Sequence, residues 1–180
     1  MRVNHVHIPV CTSLMDTMRN ISAPPHDTVV VLTTDFQTAG RGQGCHVWES
    51  AQEQNLLVGI LWPQPPFAPA RQQDLSLRVA NAVCSTLQPL LAPYGLQAWV
   101  KPPNDVWVGE SKIAGILIEH DIRGGAILAT RIGIGLNVNQ NQFPASLPNP
   151  CSLRTLTGCA YSRDDILQNL LGQFLGPIDT

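Results

Sequence analysis

Gln37-Thr38-Ala39-Gly40-Arg41-Gly42-Gln43-Gly44 is the stretch on which the reading of this chain turns. An apolar run, Val29 to Leu32, leads into it, and a second strand-like run, Asn55 to Leu61, leads out. What lies between is a loop carrying three glycines, one arginine and two glutamines. Glycine lets a backbone approach a ligand closely and adopt φ values barred to other residues. Successive amides in such a loop can form an anion-binding concavity, and Arg41 can pair with phosphate or carboxylate. The stretch therefore reads as a cradle for an anionic ligand or as an ordinary surface loop. It is not a P-loop, because no Gly-Lys-Ser/Thr follows.

Two further stretches favour the cradle. One is Lys101-Pro102-Pro103-Asn104-Asp105, followed by Lys112-Ile113-Ala114-Gly115-Ile116-Leu117-Ile118-Glu119. The other is Gly133-Ile134-Gly135-Leu136-Asn137-Val138. In this order and at these separations they resemble the catalytic domain of the biotin protein ligases. That family shows Gln-x-x-Gly-Arg-Gly, Lys-Trp-Pro-Asn-Asp, Lys-x-x-Gly-Ile-Leu-x-Glu and Gly-x-Gly-x-Asn. The resemblance runs from about His5 to Phe174, nearly the whole chain. Departures are specific. Leu14 stands where the family's Ser-Thr-Asn has its amide, Pro102 replaces a tryptophan, and Gln43 and Cys45 stand where a second arginine and a glycine are common.

Composition sets the bounds. The chain has 180 residues, 44% hydrophobic and 13% charged, which suits one domain with a sizeable core. Eleven basic against thirteen acidic residues give a net charge of −2, which does not favour nonspecific nucleic-acid binding. No apolar run approaches a membrane span, and no charged n-region precedes an apolar h-region. Cys11, Cys45, Cys84, Cys151 and Cys159 are scattered and odd in number, with no Cys-x-x-Cys. Reduced thiols and a cytoplasmic location are the expectation. Cys45 beside His46 is a weak candidate nucleophile.

Taken in order, a first strand is expected over Val3 to Val10. Thr12 and Ser13 then suit the cap of a short helix through Met18. Asp27 to Asp35 is a β-branched run that delivers the central loop, and Gln54 to Trp62 is the next strand. After Pro63-Gln64-Pro65-Pro66-Phe67-Ala68-Pro69, a stiff connection, Arg71 to Gln88 has a helical stripe of Leu75, Val79, Ala82/Val83 and Leu87. Pro89 would cost ~3 kcal/mol in a helix interior, so the helix is expected to end near Gln88, with a last turn starting at Pro89. Leu96 to Lys101 is a strand. Val106 to Val108 and Lys112 to His120 form a hairpin, and Gly124-Gly125 turns the chain into a long strand from Ala126 to Val138. Glycines at 115, 133 and 135, where strands normally carry side chains, mark the close approach of a ligand or another backbone. A loop over Asn139 to Pro150, a short helix over Cys151 to Leu156 and a helix over Ser162 to Leu175 complete the chain. The last helix has a core face of Ile166, Leu167, Leu170, Leu171 and Phe174.

The resemblance implies an α+β fold, a mixed and largely antiparallel central sheet flanked by helices. It implies one catalytic domain over residues 1–180, without the helix-turn-helix or the C-terminal β-barrel that some family members carry. It implies that biotin and ATP form biotinyl-AMP, with Mg²⁺ bridging phosphates, and that a lysine of a biotin carboxyl carrier domain then takes the biotin. Lys101 and Arg41 are the catalytic candidates. Biotin would meet Thr12, Ser13, Leu14, Gln37, Arg41, Gly42, Gln43, Lys101 and Gly115. The nucleotide would meet Gly40, Arg41, Gly42, Lys101, Asn104, Lys112 and Asn137, and Asp105 would help hold Mg²⁺. Trp48 would pack against the sheet edge or biotin's apolar rim, and the glycine loop would close over the adenylate. A homodimer is left open, and DNA and membranes are not expected partners. Two alternatives stand beside this reading: a lipoate or octanoate ligase or transferase of related fold, and a biotin-binding protein with impaired turnover.

Overall fold

The structure, a computed structural model, describes residues 1–22, 24–63, 65 and 72–176. Its strands are β1 (Arg2–Cys11), β2 (Thr28–Gln37), β3 (Leu56–Pro63), β4 (Ala98–Lys101), β5 (Asp105–Val108), β6 (Ser111–Arg123) and β7 (Ala126–Leu136). They form one sheet in the order β1-β2-β3-β7-β6-β5-β4. β1 runs parallel to β2, and every other pairing is antiparallel. The expected mixed, largely antiparallel sheet is therefore present. β1 is an outer strand and carries Pro9. Each residue of the central strand β3 is buried, which is why its sequence reads as a continuous apolar run rather than an alternation.

The helices are α1 (Leu14–Arg19), α2 (Gln72–Leu91), α3 (Leu153–Thr157) and α4 (Arg163–Leu175). Successive side chains on a strand point to opposite faces, and here each face meets its own helices. Val58 and Ile60 of β3, Ile132 and Ile134 of β7, and Ile116 of β6 pack in one cluster with the apolar stripes of α2 and α4. Leu57 and Leu61 of β3 pack in the other with Leu14, Met15 and Met18 of α1. The α4 face is the expected one, all five residues buried. Trp62 meets Phe174 edge to face, with ring centroids 5.8 Å apart. No helix among the described residues is long and apolar enough to cross a membrane.

The local signals differ from expectation at three places. α2 runs through Pro89 to Leu91, and a 3-10 turn, Ala92–Tyr94, follows. Proline forfeits one intrahelical bond, but the helix continues only two residues beyond it, and full burial of Leu87 and Leu91 holds the last turn. The expected helix start at Arg71 and residues 64 and 66–69 of the proline-rich connection lie outside the described residues. At α1, Ser13 occupies the N-cap position but makes no capping bond. The Leu14 amide instead donates to Gln37 Oε1 at 2.7 Å, so the central loop's first residue caps the helix. α3 begins later than expected because Ser152 and Thr155 form a capping box. Gly124 and Gly125 turn as expected, with φ of 58° and 79°, the pair of positive values a tight hairpin needs.

Phe174 ties α4 to the sheet through Trp62 and is fully buried. Phe174→Ala should cost ~3–5 kcal/mol of unfolding free energy, read as a lower urea midpoint with an unchanged slope.

Candidate active site

Register brings the strand glycines together. Gly59 of β3 faces Gly133 of β7, and Gly115 of β6 faces Gly135 of β7. By the alternation, all four lie on the α1 side of the sheet. The result is a track without side chains, and three large residues settle over it. A Cβ built at Gly59 would stand 3.0 Å from Met18 Cε, and one at Gly133 would stand 2.9 Å from Met15 Sδ. At Gly135 it would fall 2.2 Å from Trp48 Cε2, and at Gly115 2.9 Å from Trp48 Cζ3. Trp48 thus lies on the glycines of β6 and β7, not at the sheet edge. Beside these residues a cavity of about 370 Å³ remains.

The central loop frames this cavity as a small hairpin. Arg41 and Val47 form a bridge, Gly42 N donates to His46 O at 2.8 Å, and Trp48 N donates to Gly40 O at 2.9 Å. Trp48 anchors one end of the loop on the sheet. Arg41 anchors the other, with Nη1 donating to Asp16 Oδ1 at 3.1 Å and Nη2 to Glu119 Oε1 at 2.7 Å. The arginine read from sequence as a partner for phosphate or carboxylate is engaged by two carboxylates.

The other candidates divide clearly. Leu14, Gln37, Arg41, Gly42, Gln43 and Asn104 line the cavity, as do Asp105, Lys112, Gly115 and Asn137. Thr12, Ser13, Gly40 and Lys101 are not among the lining residues. Thr12 is exposed, and its carbonyl accepts from the Ala39 amide. Ser13 is fully buried, with an Oγ that has no hydrogen-bond partner. Lys101 ends β4 with its Nζ 3.6 Å from the ring centroid of Trp107, a cation–π contact. Trp107 lines the cavity. Lys112 Nζ stands 2.8 Å from Asp105 Oδ1. Asp105, expected at a metal, thus has a cation as its partner. Asn104 Nδ2 donates to Ile116 O at 2.7 Å and closes β5 onto β6.

Polar atoms without partners concentrate here. Trp48 Nε1, Trp107 Nε1 and Asn137 Oδ1 are buried and make no hydrogen bond. Gln37, half-buried on the cavity wall, spends Oε1 on the Leu14 amide. Buried polar groups are normally satisfied, and each exception calls for a reason. An apolar slot with a few convergent polar atoms is how small-molecule sites are built. Cys11 and Cys151 serve as apolar fillers: burial raises both thiols, Cys151 to about 12. Cys45 is exposed on the loop and does not line the cavity.

Sequence reasoning passed over Met15, Trp107, Phe143, Leu147 and Pro148, which also line the cavity. The signal for the last three was weak: isolated apolar residues in a polar, proline-rich loop. Glu119 was visible as the last residue of its motif, but nothing local assigned it a partner.

The chain matches the biotin/lipoate A/B protein ligase family over residues 8–139. It is 36% identical over 150 residues to the bifunctional ligase/repressor BirA of Bacillus spizizenii, covering 82% of this chain and 44% of that protein. It is 32% identical over 142 residues to the biotin–[acetyl-CoA-carboxylase] ligase of Mycobacterium tuberculosis, covering 79% and 51%. It thus spans about half the length of these relatives. The biotin protein ligase of Aquifex aeolicus, solved with biotin and ATP, superposes with a TM-score of 0.78 at 25% identity, over 96% of this chain and 68% of that one. A Leishmania major biotin protein ligase with biotinyl-5-AMP shares the fold at a TM-score of 0.78 and 23% identity, over 96% and 73%. With the family matched over most of its length and a relative 36% identical over 82% of it, the chain belongs to the biotin/lipoate A/B protein ligase family.

Proposed function

We propose that this chain binds biotin and ATP, forms biotinyl-AMP with release of pyrophosphate, and passes the biotin to a lysine of a carboxylase's carrier domain. The observation that carries the reading is the cavity over the paired glycines, with unsatisfied polar atoms around it and Lys112 on its wall. The relative named as a biotin–[acetyl-CoA-carboxylase] ligase and the biotin protein ligase solved with biotin and ATP favour biotin over lipoate or octanoate.

The chemistry follows from the lining. Leu14, Met15, Leu117 and the Trp48 indole give a flat apolar acid its walls. Gln37 Nε2 and Asn137 Oδ1 offer a donor and an acceptor to a ureido ring or a base. In the first step the biotin carboxylate oxygen bonds to the α-phosphorus, and the bond to the pyrophosphate oxygen breaks. Negative charge shifts along the phosphates, and fixed donors aimed at it are the largest usual source of catalysis. Lys112 and Arg41 are the cations on the cavity wall, and Asp105 fixes the position of Lys112. Lys101, held over Trp107, supports the cavity wall. In the second step the carrier amine attacks the acyl carbon, AMP leaves, and the amine sheds a proton.

Mg²⁺ belongs to this scheme only as a companion of the nucleotide. Among the described residues no cluster of three or more His, Cys, Asp or Glu is placed to hold a metal. Asp105 is engaged by Lys112, so the donor set does not fit a resident ion.

Pyrophosphate–ATP exchange, run separately with biotin, lipoate and octanoate, should respond to biotin alone. Exchange no faster with biotin than without it would sink the enzyme reading, and biotin binding without exchange would favour a protein that has lost turnover. Lys112→Ala should cut adenylation by ~10²–10³-fold, the scale of one preorganised donor; near-normal turnover would remove Lys112 from the role. Gly135→Ala should keep the fold and lose biotin binding, because its methyl group meets the Trp48 ring at 2.2 Å and must displace it. Calorimetric titration with biotin would show this.

A further inference from the structure

Four charged residues form a closed ring that the adenylation scheme leaves unused. Arg41 donates to Asp16 and Glu119 as described above. Arg19 donates to the same two carboxylates, from Nη1 to Asp16 Oδ1 at 3.0 Å and from Nη2 to Glu119 Oε2 at 2.8 Å. The ring joins α1, the glycine loop and β6, and its formal charges cancel. Of the four residues, Arg41 alone lines the cavity.

Stability does not account for the ring. The side chains of Asp16, Arg19, Arg41 and Glu119 are 42%, 47%, 34% and 22% exposed, and ion pairs this open to water contribute little. Charge balance does account for it. Arg41 is the cation nearest the loop amides, yet two acids hold it. Alone with them it would sit in a patch carrying one surplus negative charge, on the wall of a site that must accept a polyphosphate. Such a charge is felt across about 8–10 Å at ordinary ionic strength. Arg19 is placed to cancel it, because it reaches both acids without lining the cavity itself.

We propose that Arg19 is a positioning residue for the nucleotide's phosphates: it neutralises the Asp16–Glu119 pair, so that Arg41 can turn from Glu119 to a phosphate without leaving two acids uncompensated. This rests on the adenylation reading, and the test separates the two. The probe is inorganic triphosphate, titrated calorimetrically into the ligand-free protein with no acyl substrate present. Arg19→Gln should weaken triphosphate binding about fivefold, the scale of one unit charge at close range in a water-like dielectric. Adding Asp16→Asn to that variant should restore wild-type affinity, because neutrality returns although two more contacts are lost. A ring that acted only through its contacts would make the double variant worse than the single one. The Arg19→Gln deficit should also shrink at about 1 M salt, where screening acts within roughly 3 Å. Should Arg19→Gln fail to fold, Asp16→Asn alone decides: it leaves one positive charge in surplus and should tighten binding. No triphosphate binding by the wild type, unchanged affinity in Arg19→Gln, or a double variant no better than the single would each overturn the proposal. Biotin-dependent pyrophosphate exchange judges the adenylation reading independently of all three.

Discussion

The site depends on one constraint, the absence of side chains at four paired positions of a buried sheet. Gly59 with Gly133, and Gly115 with Gly135, leave a lane on a surface that strands otherwise fill. Glycine in a strand interior costs stability because it packs nothing and orders a freer backbone. Here the lane is repopulated from outside. Met18 and Met15 come from a helix of six residues, and Trp48 comes from the loop. Methionine suits such a place because its unbranched chain fills irregular gaps. The sheet's other face shows the contrast: it is packed by α2 and α4 with branched aliphatic residues.

Helix and loop are coupled by the same arrangement. Gln37, at the end of β2, caps α1 through the Leu14 amide. Arg41, four residues on, returns to α1 through Asp16. A six-residue helix is marginal by itself, so α1 takes its position from the loop as much as the loop takes its own from α1. Shifting either one moves both the apolar wall and the polar rim of the cavity.

Much of this was legible in the residues. The glycines at 115, 133 and 135 announced close approach by standing where strands carry side chains, and the structure puts Trp48 and Met15 against them. The α4 stripe and the Gly124-Gly125 turn were local patterns, and local patterns suffice for local geometry. Partnerships across the fold were not legible. Arg41 meets residues 25 and 78 positions away, and no spacing rule forecasts which acids will reach an arginine. Lys101 read as a catalytic cation and Lys112 as a second cation for the nucleotide. Diagonal contacts across β5 separate them: Lys101, in register with Asp105, finds the Trp107 ring, and Lys112, in register with Trp107, finds Asp105. Pro89 was misjudged because its cost is a property of helix interiors, and the burial of Leu91 that extends α2 is a tertiary fact.

Pro9 in β1 bears on how the molecule behaves in a crowd. An outer strand of ten residues exposes a row of backbone donors and acceptors that another chain could pair with, and Val6 and Val10 add exposed apolar surface to it. A proline in that row has no N–H to give and holds its φ near −65°, so an approaching strand meets a gap in the ladder. The charged or ring-bearing residues Arg2, His5 and His7, all exposed, crowd the same strand. This outer strand is thereby a poor template for sheet extension.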